Sequence, residues 1–295
     1  MTLYTVIFIQ ILITITAVVG VYILTGLTGM FSLGQAAFMA IGAYSSGILV
    51  VRGGFPFPLA CLTAVVIAVV VGFIVGLPSV RLRQDYISLV TLGFGEAITS
   101  FLNQNTKLTG GAAGFSGIPP ITTFPLALIS TIVVIAVVIW FKTSKFGRQC
   151  IAVRNDELAA KAVGINVARI KMIAFLFSVA VSAWAGCLYA FFTTYVEPSV
   201  FGWRKSADWV IMVFFGGVNS LTGAVFSALI LTGLPELLRF LANYRSIFYA
   251  FLVLMVINFK PEGLFGHWEL TPMNIIKLFS RGSKVQKQAG ERSKE

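Results

Sequence analysis

The segment SKFGRQCIAVRNDELAAKAVGIN, residues 144–166, decides the fold because it is the one long polar stretch between runs of lipid-soluble sequence. Its second half predicts a short helix. Asn155 is a good N-cap, and Asp156 and Glu157 place negative charge on the first turn, where the helix dipole favours it. Lys161 falls in the last turn. Gly164 fits a C′ residue and apolar Ile165 closes a Schellman-type end. Leu158, Ala159, Ala162 and Val163 share one face, away from Asp156, Glu157 and Lys161. A helix of about eight residues is marginal alone in water, so this one packs on something. The spacing leaves two readings: a solvated helix lying on its parent chain, or a plug docked in a groove of a separate subunit.

On either side of this segment the chain is built for lipid. It has 295 residues, 57% of them hydrophobic and 11% charged, with a mean hydropathy of +0.90. The charged fraction is less than half of the roughly 25% usual for soluble domains, so the class is all-α and polytopic. The net charge of +11 does not point to nucleic acid. The cations gather at 142–171 and after Phe259, as in cytoplasmic loops beside anionic lipid. A membrane permease region over 1–270 and a basic, disordered cytoplasmic tail over 271–295 follow.

Residues 4–25 form a continuous apolar run, long enough at about 1.5 Å per residue to span. No basic region precedes the run, which is read as a first transmembrane helix and not a signal peptide. GLTGMFSLGQAAFMAIGAYSSG (26–47) is crowded with small residues. Ser32, Ala36, Ala40, Ala43 and Gly47 make one smooth helix face for close packing. Gly26 and Gly29 are placed to unwind the chain within the membrane, which makes this either a packing helix or a broken helix lining a path. Arg52-Gly53-Gly54, Pro56 and Pro58 mark a turn. Residues 57–80 span, with Arg81 and Arg83 at the cytoplasmic end.

Residues 86–102 span again and carry Glu96, a candidate for function or for a hydrogen-bond anchor. The Gly-, Ser- and Pro-rich stretch at 103–123 is an external loop, and 124–141 returns the chain to the basic loop. Residues 172–195 lead out. Tyr189, Tyr195, Trp203 and Trp209 bracket EPSVFGWRKSAD as an aromatic belt. Residues 207–240 are apolar but interrupted by FGGVNSLTG, with Gly216, Gly217 and Gly223. A last span covers about 246–259, for roughly eight or nine spans in all with the tail inside.

Ser32-Leu33-Gly34 with Phe38 matches Ser220-Leu221-Thr222-Gly223 with Phe226, each after a Gly-rich break. Such pairs in transporters point to the path. Gly26, Gly29, Ser32, Glu96, Gly216, Gly217 and Gly223 are the candidate path residues. Cys61, Cys150 and Cys187 are scattered, with neither a disulfide framework nor a metal spacing. On this topology Cys150 is open to impermeant thiol reagents from the cytoplasm only. The single His267 reads as structural. No G-x-x-x-x-G-K-[ST] occurs, so any ATP dependence comes from a partner.

The residues LRQDYISLVTLGFGEAI (82–98), LTGGAAGFSGIP (108–119), FGRQCIAVRNDELAAKAVGIN (146–166), FGGVNSLTGAV (215–225) and FKPEGLFG (259–266) resemble, in order, the inner-membrane permeases of branched-chain amino-acid ABC importers, of the LivM type. The resemblance implies a second, related permease, two cytoplasmic ATPase subunits holding ATP and Mg²⁺, and a periplasmic binding protein. It implies a multi-pass protein of a bacterial or archaeal inner membrane, with no cofactor, metal or catalytic residue in this chain. It places Glu157, Ala159, Ala160 and Gly164 on the coupling motif that docks to the ATPase. Gln84 and Asn219 stand where the family usually has small residues, which bears only on local loop geometry. An ion-coupled secondary transporter using Glu96 is the competing class. An intramembrane enzyme finds no nucleophile motif or His cluster. Urea, short amides or simple sugars are the alternative substrates.

Overall fold

The computed structural model describes residues 3–82, 84–237, 245–260, 262–266 and 269. Arg83, His267 and the basic tail over 271–295 lie outside the described residues. The apolar runs read from the sequence form helices. Leu3–Tyr22 (α1) runs into a π-helical turn, Ile23–Thr28, and then Gln35–Val51 (α2), Phe57–Ser79 (α3) and Gln84–Gln104 (α4) follow. The Gly-rich loop holds one short turn, Thr106–Thr109 (α5), a 3₁₀ turn and a two-residue strand, Phe115–Ser116 (β1). Phe124–Thr143 (α6) leads to the polar segment, which folds as Lys145–Asn155 (α7) and Glu157–Ala162 (α8). Val167–Thr193 (α9), Tyr195–Val196 (β2), Trp203–Gly216 (α10), Leu221–Leu237 (α11) and Arg245–Phe259 (α12) complete the chain. β1 and β2 pair antiparallel, Phe115 with Val196.

Among the described residues, four segments are long and apolar enough to cross a membrane: Tyr4–Thr28, Phe57–Ser79, Phe124–Thr143 and Val167–Thr193. Gln35–Val51 and Leu221–Pro235 are apolar but shorter. The helix α4 has the length, at 21 residues, but is too polar to qualify on composition. Two boundaries differ from the sequence reading. The chain unwinds over 29–34, so Ser32 lies in the break and not on α2. The basic segment ends at Asn166, whose Oδ1 accepts the Arg169 N–H at 3.1 Å and starts α9 earlier than expected.

Helix α9 is the centre of the bundle, with α1, α2 and α3 packed around it. The small-residue face of α2 is what brings it close. Ala36, Ala40 and Ala43 are buried, and the tightest crossing lies beside them. A Cβ added at Gly42 would sit 2.1 Å from the Ala183 carbonyl oxygen, and one at Gly186 2.0 Å from that of Met39. This is backbone against backbone, the geometry small residues permit in a membrane, where no hydrophobic force between helices replaces it. All three cysteines are free and buried. Trp209 is buried in the core and is no part of a belt. The outer faces of α3 (Leu62, Val66, Val70, Ile74) and α6 (Ile129, Ile132, Val133) are exposed and wholly apolar, as lipid contact requires.

Overpacking a close contact costs about 1–3 kcal/mol, more when the obstacle is backbone. Gly42→Val and Gly186→Val are therefore expected to lower membrane abundance and the melting midpoint in detergent by several degrees. Gly233→Ala, whose Cβ would meet only Ile11 among the described residues, at 3.7 Å, is expected to melt no lower than the natural chain. Equal melting of all three variants would contradict this account of the crossing.

Candidate functional site

The two Gly-interrupted segments meet each other at the end of the bundle that carries α7 and α8. The first break opens with the π turn. Gly29 takes φ of +70° and its N–H reaches the Leu24 carbonyl, which only glycine does without strain. The second break is a tight hairpin. Gly216 and Gly223 face each other so closely that a Cβ on either would lie 2.2 Å from the other's carbonyl oxygen. Gly217, at φ +113°, lies against residues 262–266, where the Leu264 and Phe265 N–H groups donate to the Phe215 and Gly216 carbonyls at 2.9 and 3.1 Å. Two of the motifs that carry the resemblance are thus one contact. Gly26 abuts the Val218 carbonyl, which an added Cβ would meet at 2.9 Å. Phe31 stacks on Phe214 with 5.5 Å between ring centroids.

Irregular backbone inside a membrane must be satisfied by protein, and here it is. The Leu33 N–H donates to Thr91 Oγ1 at 3.2 Å and the Ala36 N–H to Ser206 Oγ at 2.9 Å. Ser220 Oγ accepts the Gly223 N–H at 3.0 Å. Two buried groups within the first break, Thr25 Oγ1 and Gln35 Nε2, have no hydrogen-bond partner among the described residues.

Two cations from the basic segment close the junction. Arg154 of α7 donates through Nη1 to the Gly26 carbonyl. Lys142 Nζ donates to Tyr22 Oη at 2.9 Å, to the Asn219 carbonyl at 3.5 Å and to Glu269. Tyr22 Oη donates to the same Asn219 carbonyl at 3.4 Å. Glu269 Oε1 also accepts the Leu221 N–H at 3.3 Å. Positive charge beside the last carbonyls of α1 is favoured by the helix dipole. Asn219 takes part through its backbone, so its departure from the family pattern leaves this contact intact. The sequence reading missed Tyr22, Arg154 and Glu269 as site residues and took Lys142 as one basic-loop charge among several. Nothing in local spacing pairs residues so far apart, and the signal available was only that one cation precedes α7 and another lies in its last turn.

The polar segment corrects the reading in four ways. The N-cap of α8 is Asp156, whose Oδ1 accepts the Leu158 and Ala159 N–H groups at 2.8 and 3.0 Å, while Asn155 ends α7. The helix has 6 residues. Leu158 and Val163 are 77% and 76% exposed, and Ala159 is exposed too, but Ala160 is 3% exposed and faces its own chain. Its small size therefore serves packing within this protein. Glu157 is ion-paired with Lys171, an α9 residue only 2% exposed. The C-terminal end is as expected, with Gly164 at φ +84° and the Ile165 N–H on the Ala160 carbonyl at 3.0 Å. Cys150 is buried, and burial pushes its thiol up to about 12, so reagents will not reach it from either side as the topology alone suggests. Glu96 is not brought to the junction. It lies exposed on the outer side of α4.

Packed helices, two broken segments sealed against each other and a charged clasp at one end define an all-helical, polytopic membrane permease. More narrowly, the chain belongs to the family described as "Branched-chain amino acid transport system / permease component", whose model matches residues 3–259. It is 31% identical over 279 residues to the high-affinity branched-chain amino acid transport system permease protein LivM of Escherichia coli (strain K12), covering 83% of this chain and 66% of that protein. A probable branched-chain amino acid transport permease protein LivM of Methanocaldococcus jannaschii is 26% identical over 236 residues, 69% of this chain and 67% of that one. The LivH permease protein of Salmonella typhimurium is 28% identical over 192 residues, 63% of this chain and 61% of its own length. The match thus spans about two thirds of these relatives. No solved structure matches the chain.

Removing one partner of a buried ion pair costs about 3–5 kcal/mol, less here because Glu157 is 34% exposed. Glu157→Gln is expected to lower the melting midpoint, and adding Lys171→Met to recover most of the loss. An unchanged midpoint in the single variant would mean that water already solvates Lys171. With Cys150 shielded, Val163→Cys is the informative probe of orientation. An impermeant maleimide should label it in inside-out vesicles and not in right-side-out ones, and the reverse would invert the topology.

Proposed function

We propose that this chain is one of two related permease subunits of an ATP-driven importer for branched-chain amino acids. A periplasmic binding protein delivers substrate, and two cytoplasmic ATPase subunits holding ATP and Mg²⁺ drive the cycle. The observation that carries this reading is the exposed, doubly capped helix α8, joined through Arg154 of α7 to the first broken segment and, through Lys142 at the end of α6, to the second. Leu158 of α8 and Val163, the residue that ends it, are 77% and 76% exposed, and such an apolar pair on a short helix suits a groove in another subunit. Arg154 and Lys142 tie the base of that helix pair to Gly26 and Asn219. A shift of α7 and α8 on nucleotide binding therefore loads the junction directly. The relatives named above, branched-chain amino acid transport permeases, support the substrate class.

On this reading the docking surface is Leu158, Ala159 and Val163, with Gly164 fixing the turn and Glu157 holding α8 on α9. Leu158→Asp and Val163→Asp are expected to leave the permease in the membrane at near-normal abundance while ATPase copurification and uptake fall together. Gly164→Val should do the same, because the position requires positive φ. Uptake should stop on ATP depletion and survive collapse of the proton gradient. Accumulation that follows the proton gradient instead would replace this reading with an ion-coupled carrier.

A further inference from the structure

The outward surfaces of this bundle are not alike. The fully exposed side chains along the middle of α3 and α6 are apolar, but those of α4 are not all so. Its inner face, Ile87, Thr91, Gly95 and Leu102, is buried against the chain. Directly opposite, at three- and four-residue spacing, run Gly93, Glu96, Ser100 and Gln104, all exposed or partly so. Gln104 Nε2 donates to Ser100 Oγ at 3.1 Å, while Glu96 makes no hydrogen bond or ion pair among the described residues. At about 1.5 Å per residue Glu96 lies roughly 18 Å from the start of α4 and 12 Å from its end, well inside the helix. With α4 taken as the span that the sequence predicts over 86–102, a carboxylate at this point faces protein or water, not lipid.

Gly93 adds a separate observation. The close-packing glycines Gly26, Gly42, Gly186, Gly216, Gly217 and Gly223 each have an obstacle that excludes a Cβ, yet at Gly93 nothing among the described residues lies within 4 Å. Its size serves no contact among those residues. A small residue beside hydrogen-bonding side chains is the composition of a helix–helix interface in membranes.

We propose that the Gly93–Glu96–Ser100–Gln104 face of α4 is the surface on which the second, related permease subunit packs, with Glu96 accepting hydrogen bonds from a cationic or N–H donor on it. This rests on the two-permease reading above. The unpaired negative charge selects against a second copy of this same face, which would oppose carboxylate to carboxylate, and favours a chain of complementary charge. The position also has consequences for transport. Thr91, on the inner face, accepts from the Leu33 N–H, and the Gly34 backbone lies against Thr91. Only α4 separates the subunit contact from the first broken segment.

The test uses the assembled transporter in native membranes. A photoactivatable probe on Gly93→Cys or Ser100→Cys should capture the second permease, while the same probe on Val70→Cys of α3 or Ile132→Cys of α6 should capture lipid alone. Gly93→Leu should leave the melting of the separately purified chain unchanged or raised, since the site is open, but abolish copurification of the second permease. Glu96→Leu should weaken that association by roughly tenfold or more. Capture of lipid only from α4, or of a second copy of this chain, overturns the proposal, as does undiminished association of the Gly93→Leu variant. ATPase retention is read in the same extracts. If the ATPase is held and α4 captures only lipid, the surface is wrong and the importer reading stands. If the natural chain holds no ATPase, the importer reading itself has failed.

Discussion

The structure depends on a contact between two stretches of backbone that have left their helices. Residues 23–34 and 217–220 abut at one end of the bundle, and the peptide groups they free would be costly in hydrocarbon unless protein satisfied them. Thr91 of α4 and Ser206 of α10 accept N–H groups at the first break and the start of α2, and Ser220, within the second break, caps the start of α11 through the Gly223 N–H. Glycine is required because the partners are backbone atoms: Gly216 on Gly223, Gly217 on residues 262–266, Gly26 on Val218. The surrounding helices are placed to protect this seam. The intimate crossing of α2 and α9 holds the first break from one side, and α4 and α10 hold it from the other.

Arg154 and Lys142 turn this seam from a static feature into one that outside forces can reach. Both come from the polar end of the bundle, and both contact carbonyl oxygens of the broken segments. A rigid α7 carries any displacement of α8 to the Gly26 carbonyl, and Glu269 holds the Lys142 ammonium between the two breaks. Helix α8 is too short to be stable alone. It is held by the Asp156 cap, the Gly164 turn, the Ala160 contact and the Glu157–Lys171 pair, which leaves its outer residues free to meet another chain.

Much of this was legible in the sequence, and the reasons are local. Hydropathy marks the spans, because a membrane helix needs an unbroken apolar run. The Gly-rich breaks and the Gly164 turn declare themselves because no other residue accepts positive φ cheaply. What was not legible depended on tertiary placement. Asp156 and Asn155 are equally good caps by type, and only the extension of α7 through Asn155 decides between them. Ala160 falls on the coupling motif that the resemblance implies, yet the six-residue helix turns it inward, where it is buried. Cys150 belongs to a polar segment by position but to the core by burial. The clasp of Lys142 on Tyr22, Asn219 and Glu269 joins residues more than 70 positions apart, beyond the reach of any periodicity. Glu96 stands out in the sequence by its cost in lipid, but its exposed position away from the junction could come only from the structure.

The central claim is that the polar helix pair and the glycine seam move as one unit through Arg154 and Lys142. Amide hydrogen exchange of residues 23–34 and 217–220, read in the assembled transporter with and without ATP, tests it most directly. Nucleotide should change exchange in both breaks of the natural chain. With Arg154→Gln and Lys142→Gln together that change should disappear while the ATPase stays bound. A nucleotide-dependent change of the same size in the double variant would contradict the account, because the seam would then be reached by another route.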